Sequence, residues 1–234
     1  MRKILTEAFS VNLIIVVMLF ILGSYAVDQN KGVNTFGTGP SAIYKAETEE
    51  KNISLMINIY QGEEYVLKYL ELFEQEDIKA TFFVGGCWAA KNAEVVKKIA
   101  EAGHEIGNHG YNHKMHTKLT QEQSRSEILR TNSLIKSITG EETVLFAPPS
   151  GDVNAQVVAD ASSCGCQTIM WTADTIDWRD QDVSKIYARV ERNLKPGVFV
   201  LMHPTQATLE ALPEIILLAK SQGYTFMTVG EQLK

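Results

Sequence analysis

The sequence predicts an α/β protein built on a parallel sheet, and three observations lead to this fold class. Short apolar runs alternate with amphipathic segments from residue 53 to the C-terminus. Seven such runs and six intervening segments of helical periodicity give the order expected for parallel β/α units. The runs at 80–84 and 198–202 are almost entirely apolar, as buried strands are. Periodicity alone does not separate an open doubly wound sheet from a barrel.

The local pattern accounts for each predicted element. Glu63 and Glu64 suit the first turn of the helix after the first strand, where the helix dipole favours acidic residues. The second strand runs into Gly85 and Gly86, and the amphipathic helix that follows ends near Gly103. Strands are predicted at 53–59, 79–84, 104–108, 143–147, 166–171, 197–203 and 224–228. Helices are predicted at 63–76, 88–102, 120–138, 154–163, 182–194 and 207–222.

The first 27 residues differ in kind from the rest of the chain. Arg2 and Lys3 precede a mainly apolar stretch of roughly 20 residues, which is close to what a bilayer span needs. Ser24-Tyr25-Ala26 fits a small-x-small cleavage site. We therefore predict that residues 1–27 are a signal peptide or an N-terminal membrane anchor, and that the main domain is extracytoplasmic, either secreted or membrane-anchored.

Composition after this segment indicates a linker and one folded domain. Residues 28–52 contain many polar residues and few clustered apolar ones, so we predict a linker there and a single domain over 53–234. The formal net charge is −6, which excludes the basic surface expected of a nucleic-acid-binding protein. The three cysteines, Cys87, Cys164 and Cys166, form no zinc-binding or redox motif.

Two histidines spaced four positions apart are the first candidate functional residues. His109 and His113 follow an apolar strand-like run, and a strand that ends in turn residues can direct both imidazoles into one cleft. Neutral imidazole is a common ligand of zinc and related cations, so this pair is a candidate metal site. His104 and His116 fit surface positions or hydrogen-bonding roles better.

Five ordered motifs resemble the polysaccharide deacetylase family, which comprises carbohydrate esterases with the NodB homology domain. The motifs lie at 80–86, 103–113, 146–151, 171–178 and 198–204. The likeness covers about residues 50–234 and is strongest to the sporulation-associated branch of Gram-positive spore formers. It implies a distorted (β/α) barrel of about seven parallel strands, with the site at the carboxyl ends of the strands.

The resemblance also implies roles for individual residues. His109 and His113 match the family's metal-binding histidines, and the implied metal is a divalent cation such as zinc. His203 matches the general acid that protonates the departing amine, and Asp177 matches the carboxylate that orients this histidine and favours its protonated form. Asp174 could do the same work or cap a turn. The residues expected at the substrate are Pro148, Pro149, Gly151 and Trp178, and ordinary core packing is an alternative for Trp178.

The chain departs from the family pattern at two motifs. The family's first strand ends in Thr-Phe-Asp-Asp-Gly, which supplies the catalytic base and the third metal ligand. An alignment on the strand puts Asn58 and Ile59 at these positions, and an alignment on Gly62 puts Tyr60 and Gln61 there. Asn58 is the residue assigned to the base position here, although an amide cannot accept a proton near neutral pH.

The third motif has also lost a charged residue. Ala147 replaces the arginine that pairs with the catalytic aspartate in the family, and losing both partners is less costly than leaving one charge buried alone. Glu63, Glu64 and Asp152 are spare carboxylates near these motifs, but helix-start and turn roles explain them more simply.

Two functions remain open from the sequence. The first is a metal-dependent hydrolase that removes N-acetyl groups from a cell-wall or chitin-like glycan such as peptidoglycan, with His109, His113, Asp177 and His203 as the retained machinery. The second is a catalytically degenerate member that binds cell-wall glycan or a partner. The membrane is a further partner if the N-terminal segment remains uncleaved.

Overall fold

The computed structural model describes residues 39–234. The segment predicted as a signal peptide or anchor, 1–27, and the first part of the predicted linker lie outside the described residues. Within 39–234, no helix is both long enough and apolar enough to cross a membrane.

Strands and helices alternate over most of the described chain. The strands are β1 Asn52–Ile59, β2 Thr81–Val84, β3 Glu105–Asn108, β4 Leu145–Phe146, β5 Gln167–Thr168, β6 Ala173–Asp174, β7 Val198–Met202 and β8 Thr225–Phe226. The α-helices are α1 Glu63–Gln75, α2 Gly86–Lys91, α3 Ala93–Glu101, α4 Gln121–Thr139, α5 Ala155–Ser163, α6 Val183–Asn193, α7 Gln206–Ser221 and α8 Val229–Gln232. Short 3-10 helices occupy His116–Lys118 and Pro149–Gly151.

The strands form one parallel sheet that curls into a half-barrel. Seven strands follow the order β5-β4-β3-β2-β1-β7-β6, and β8 pairs with the start of β1. The predicted fold class, a distorted (β/α) barrel of about seven parallel strands, is confirmed. The outer strands β5 and β6 do not pair with each other, so the barrel is open between them.

Part of the predicted linker contacts the sheet beside this opening. Ile43 pairs with Ile169, directly after β5, and the backbone N–H of Ala46 donates to the carbonyl oxygen of Gly197 at 2.9 Å, just before β7. The side chains of Ile43 and Ala46 also pack against the core cluster inside the barrel. Residues 43–46 therefore help to cover the open side of the barrel.

The structure corrects three predicted elements. The seventh strand of the barrel is β6, which was not predicted because it has only two residues in a polar stretch. The predicted strand at 224–228 forms only the short pair Thr225–Phe226. The predicted helix at 88–102 is two helices, α2 and α3, because Asn92 between them leaves helical geometry with φ −123° and ψ 38°.

Side chains of β1 alternate between two apolar layers. Ile57 and Ile59 face the layer formed with the surrounding helices, whereas Met56 packs with Phe83 and Phe199 inside the barrel. This alternation is the period of two that an extended strand imposes. Both layers are apolar, which accounts for the continuous hydrophobic run in the sequence.

The turn after β1 depends on Gly62. Its φ of 82° is left-handed, and a Cβ built there would overlap the carbonyl oxygen of Pro204, the residue after His203. Glycine therefore allows the chain that leaves β1 to lie against the chain that leaves β7.

We expect Gly62→Ala to destabilise the fold more than Gly223→Ala does. Both glycines have a left-handed φ, but a Cβ at Gly223 meets nothing within 4 Å. The backbone strain of about 1–2 kcal/mol should be common to both variants, and the overlap with Pro204 should add to it only in Gly62→Ala. Urea unfolding would measure this difference, and equal losses of stability would show that the contact with Pro204 is unimportant.

Candidate active site

A cleft of about 310 Å³ lies where β1, β3, β6 and β7 end. In parallel β/α proteins the carboxyl ends of the strands are where functional side chains gather. The described residues that line the cleft are Asn58, Tyr60, His109, His113, Ser150, Gly151, Trp171, Asp174, Trp178, Leu201 and His203. The structure thus brings together six of the nine predicted site residues.

His109 is fixed at the end of β3. Its backbone N–H donates to the carbonyl oxygen of Val84, and the side chain is 1% exposed. The ring Nδ1 lies 2.7 Å from the carbonyl oxygen of Ala147, so Nδ1 donates and Nε2 is left with its lone pair. Burial, followed by the charge of His113, lowers the pKa of His109 to about 3, which keeps the ring neutral.

A buried carboxylate holds the loop that contains His113. Glu127 of α4 is 5% exposed and accepts hydrogen bonds from the backbone N–H groups of Tyr111 at 3.0 Å and Asn112 at 2.6 Å. His113 follows with φ 54°, a left-handed conformation that is uncommon for a residue with a side chain. Its ring centroid lies 5.1 Å from that of His109, so the loop places the two imidazoles side by side.

His203 and Asp177 form a hydrogen-bonded pair on the opposite wall. Asp177 is fully buried, and its Oδ1 atom lies 2.7 Å from Nδ1 of His203. Its Oδ2 atom accepts from the backbone N–H of His203 at 2.7 Å and from the hydroxyl of Thr208 at 2.6 Å. Burial opposes ionisation of Asp177, but these hydrogen bonds and the charge of His203 outweigh it, so the pKa of the carboxyl is lowered.

The first motif presents an amide and a phenol to the cleft. Asn58 and Tyr60 point inward, whereas Ile59 is fully buried in the outer apolar layer and Gln61 does not line the cleft. Each of the two possible alignments therefore puts only one residue in the cleft. The Tyr60 ring packs against His113, with the ring centroids 4.2 Å apart.

The spare carboxylates near the motifs have structural roles. Glu63 and Glu64 occupy the first turn of α1, outside the cleft, as the simpler interpretation predicted. Asp152 accepts from the backbone N–H of Thr117 at 2.7 Å and from its hydroxyl at 2.8 Å, which is a turn-stabilising role. None of the three reaches the histidine pair.

A model of the family described as polysaccharide deacetylase matches residues 45–169. The chain belongs to the polysaccharide deacetylase family. It is 40% identical over 192 residues to the uncharacterized protein YlxY of Bacillus subtilis, a match that covers 82% of this chain and 60% of YlxY. It is 33% identical over 197 residues to a peptidoglycan-N-acetylglucosamine deacetylase of Bacillus cereus, which covers 82% of this chain and 92% of that enzyme.

A solved structure of similar fold belongs to a protein without activity. BA3943 of Bacillus anthracis, a CE4 family pseudoenzyme, superposes with a TM-score of 0.81 and 39% sequence identity, covering 84% of this chain and 70% of that chain. A BA3943 mutant with restored enzymatic activity gives the same TM-score at 38% identity, covering 84% of this chain and 72% of that one. The chain is thus similar both to a peptidoglycan-N-acetylglucosamine deacetylase and to a pseudoenzyme.

The polysaccharide deacetylases are generally metal-dependent, but the described residues do not fit a three-ligand metal centre. A catalytic zinc site usually has three protein ligands. His109 and His113 supply two, and no cluster of three His, Cys, Asp or Glu side chains suited to a metal exists in residues 39–234. The two alternatives for the ligand position, Ile59 and Gln61, do not line the cleft, and the base position on the strand alignment has the amide of Asn58, whose buried Oδ1 atom has no hydrogen-bond partner among these residues.

The third and fourth motifs shape the substrate side of the cleft. Gly151 and Trp178 line it as predicted, but Pro148 and Pro149 are buried and do not. Pro149 packs against the loop at Gly110, where a Cβ would lie 3.2 Å from the proline ring. The lining residues Ser150, Trp171 and Leu201 were not predicted from the sequence. Tyr60 also lines the cleft, although the alignment on the strand gives it no role.

We expect the full chain to bind zinc or cobalt weakly, because only two ligands are available. Calorimetric titration of the His109→Ala, His113→Ala double variant should show no residual site. The variant Asn58→Asp, Tyr60→Asp, which adds two carboxylates to the cleft, should bind more tightly. The gain should exceed the roughly 10- to 100-fold that groups hydrogen-bonded to metal ligands contribute. Tight one-to-one binding by the unaltered chain would contradict this expectation.

We also expect Asp177→Asn to lose about 3 kcal/mol of stability at pH 7, because an amide cannot accept all three hydrogen bonds made to the buried carboxylate. The pKa of Asp177 is depressed in the folded state, so its stabilising contribution is complete above the unfolded carboxyl pKa of about 3.9. The contribution should disappear as the pH falls through the lower, folded pKa. Urea unfolding of both proteins from pH 7 to pH 3 measures this difference, and a pH-independent gap would contradict it.

Proposed function

We propose that this chain is a non-hydrolysing member of the polysaccharide deacetylase family that binds cell-wall glycan outside the cytoplasm. One observation is decisive for the proposal. The two residues of the first motif that face the cleft are Asn58 and Tyr60, where hydrolysis requires carboxylates. The similarity to the BA3943 pseudoenzyme supports the same conclusion.

The loss can be understood from the chemistry of amide hydrolysis. The reaction needs a polarised carbonyl, an activated water molecule and an acid for the departing amine. The amide of Asn58 cannot take a proton from water near neutral pH, and two imidazoles do not complete a metal centre that would polarise the carbonyl. The cleft therefore retains only the acid, the His203–Asp177 pair, and lacks the other two requirements.

The retained cleft is suited to sugar rings. The tryptophans Trp171 and Trp178 both line it, and Trp178 is 58% exposed, which leaves its indole available to stack on a sugar face. The similarity to a peptidoglycan-N-acetylglucosamine deacetylase supports peptidoglycan as the glycan. The predicted N-terminal signal peptide or membrane anchor supports a place on the outer face of the cell membrane or in the cell wall. A link to sporulation stays a prediction from the family resemblance.

Deacetylation of an N-acetylated glycan such as peptidoglycan is the competing function. The observation in its favour is the intact pair of His203 and Asp177, whose 2.7 Å contact gives a general acid the partner it needs. The two histidines for a divalent metal are also retained, close to each other.

The test is acetate release from peptidoglycan and from N-acetylglucosamine oligomers in the presence of zinc or cobalt. We expect the full chain to release acetate at least about 100-fold more slowly than the Bacillus cereus deacetylase, since a general base alone contributes about 10²- to 10⁴-fold. The full chain and His203→Ala should be equally inactive.

The same assay contains the outcome that would reject the proposal. Metal-dependent acetate release by the unaltered chain that is abolished in His203→Ala would establish a deacetylase. The variant Asn58→Asp, Tyr60→Asp tests whether missing carboxylates are the cause of inactivity, because it should gain acetate release while the unaltered chain shows none.

A further inference from the structure

The floor of the cleft contains a buried hydrogen-bond acceptor that no described residue satisfies. Asn58 is 2% exposed, and its Oδ1 atom has no partner within residues 39–234. A buried acceptor gives up its hydration without compensation, and native proteins rarely leave such a group unpaired. The arrangement favours a ligand that brings a hydrogen-bond donor to Asn58.

His109 adds a second acceptor to the same floor. Its Nδ1 atom lies 2.7 Å from the carbonyl oxygen of Ala147, and a carbonyl oxygen can only accept, so the ring proton is on Nδ1. Nε2 therefore has a free lone pair. An ammonium group, with three N–H donors, can serve both acceptors. An acetamide has a single N–H donor and can serve only one of them, and its acetyl oxygen is itself an acceptor.

The charge of the cleft favours a cation. Its described lining includes the carboxylate of Asp174, no lysine or arginine, and three histidines, of which His203 is paired with the carboxylate of Asp177. Oδ1 of Asp174 accepts from the backbone N–H of Ile176 at 2.8 Å, while Oδ2 accepts no hydrogen bond from the described residues. The guanidinium of Arg179 is not among the lining groups, and it is held at 3.0 Å by each carboxylate oxygen of Asp180, which it shares with Arg189.

Aromatic rings complete the environment. Tyr60, Trp171 and Trp178 all line the cleft. The faces of such rings attract cations as well as the apolar faces of sugars. A sugar that contains an ammonium group would therefore gain from stacking, from the carboxylate and from the acceptors on the floor.

We propose that the cleft preferentially binds amino sugars with a free amine, that is, glycan from which the N-acetyl group has already been removed. This inference rests on the proposed function, because it names the glycan form that the non-hydrolysing cleft selects. The ligand would then be the product of the reaction class that catalytically active deacetylases perform. The chain would distinguish modified from unmodified wall glycan.

The experiment is calorimetric titration of the full chain with tetramers of β-1,4-linked glucosamine and, separately, of N-acetylglucosamine. We expect the glucosamine tetramer to bind about tenfold or more tightly. Its affinity should fall as salt is raised, because an ammonium–carboxylate attraction is screened, whereas binding of the neutral tetramer should not change with salt.

Matched variants identify the source of the preference. Asp174→Asn removes the charge but keeps an oxygen for the turn at Ile176, so it should abolish the preference without loss of fold. Asn58→Leu, of similar size, should weaken binding of the glucosamine tetramer by removing the acceptor. Asp182→Asn is the control, because Asp182 caps α6 outside the cleft and Asn caps helices equally well. It should leave both affinities unchanged.

The possible results separate this inference from the proposed function. Equal or tighter binding of the N-acetylglucosamine tetramer, without acetate release, would overturn the preference for free amines and leave the glycan-binding function standing. Binding of neither tetramer would overturn both. A preference for glucosamine that persists in Asp174→Asn would show that the cleft carboxylate is not its cause and would also overturn the inference.

Discussion

The period of two along the central strand β1 is the constraint on which both the core and the site depend. β1 pairs with β2, β7 and β8, and its successive side chains must face either the helices or the barrel interior. Its inward positions pass from an apolar residue, Met56, to two polar ones, Asn58 and Tyr60, where the strand ends at the cleft. The side chain of Ile59, between them, packs in the outer apolar layer against the helices. The strand geometry therefore decides which residues of the first motif can take part in chemistry.

The two halves of the site have changed to different degrees. The wall with His203 retains a complete set of hydrogen bonds around Asp177, whose buried carboxylate has three donors. The opposite wall retains its two histidines but has lost the carboxylates that would act with them. Removing a single member of a buried network leaves an unpaired charge, which opposes gradual change in the first wall. In the second wall Ala147 stands where the family has the arginine partner of the aspartate, so no buried charge is left unpaired and the fold is kept.

Long, strongly patterned features could be predicted from the sequence, and features set by the tertiary arrangement could not. The alternation of apolar runs and amphipathic segments predicts the parallel fold. The motif residues His109, His113 and His203 line the cleft, and Asp177 lies buried behind His203. The strand β6 and the lining residue Trp171 have no local signal, because two-residue strands and cleft-facing side chains are defined by their neighbours. Pro148 and Pro149 are predicted at the substrate, and the structure buries both beside the cleft lining.

The hydrogen bonds that Glu127 accepts from residues 111 and 112 hold the loop before His113 in place without a metal ion. In many metal sites the bound ion is what organises the ligands, and the apo form loses order. In this chain, hydrogen bonds from the protein itself keep the loop before His113 in place. Such a scaffold keeps the shape of the cleft whether or not a metal ion is bound.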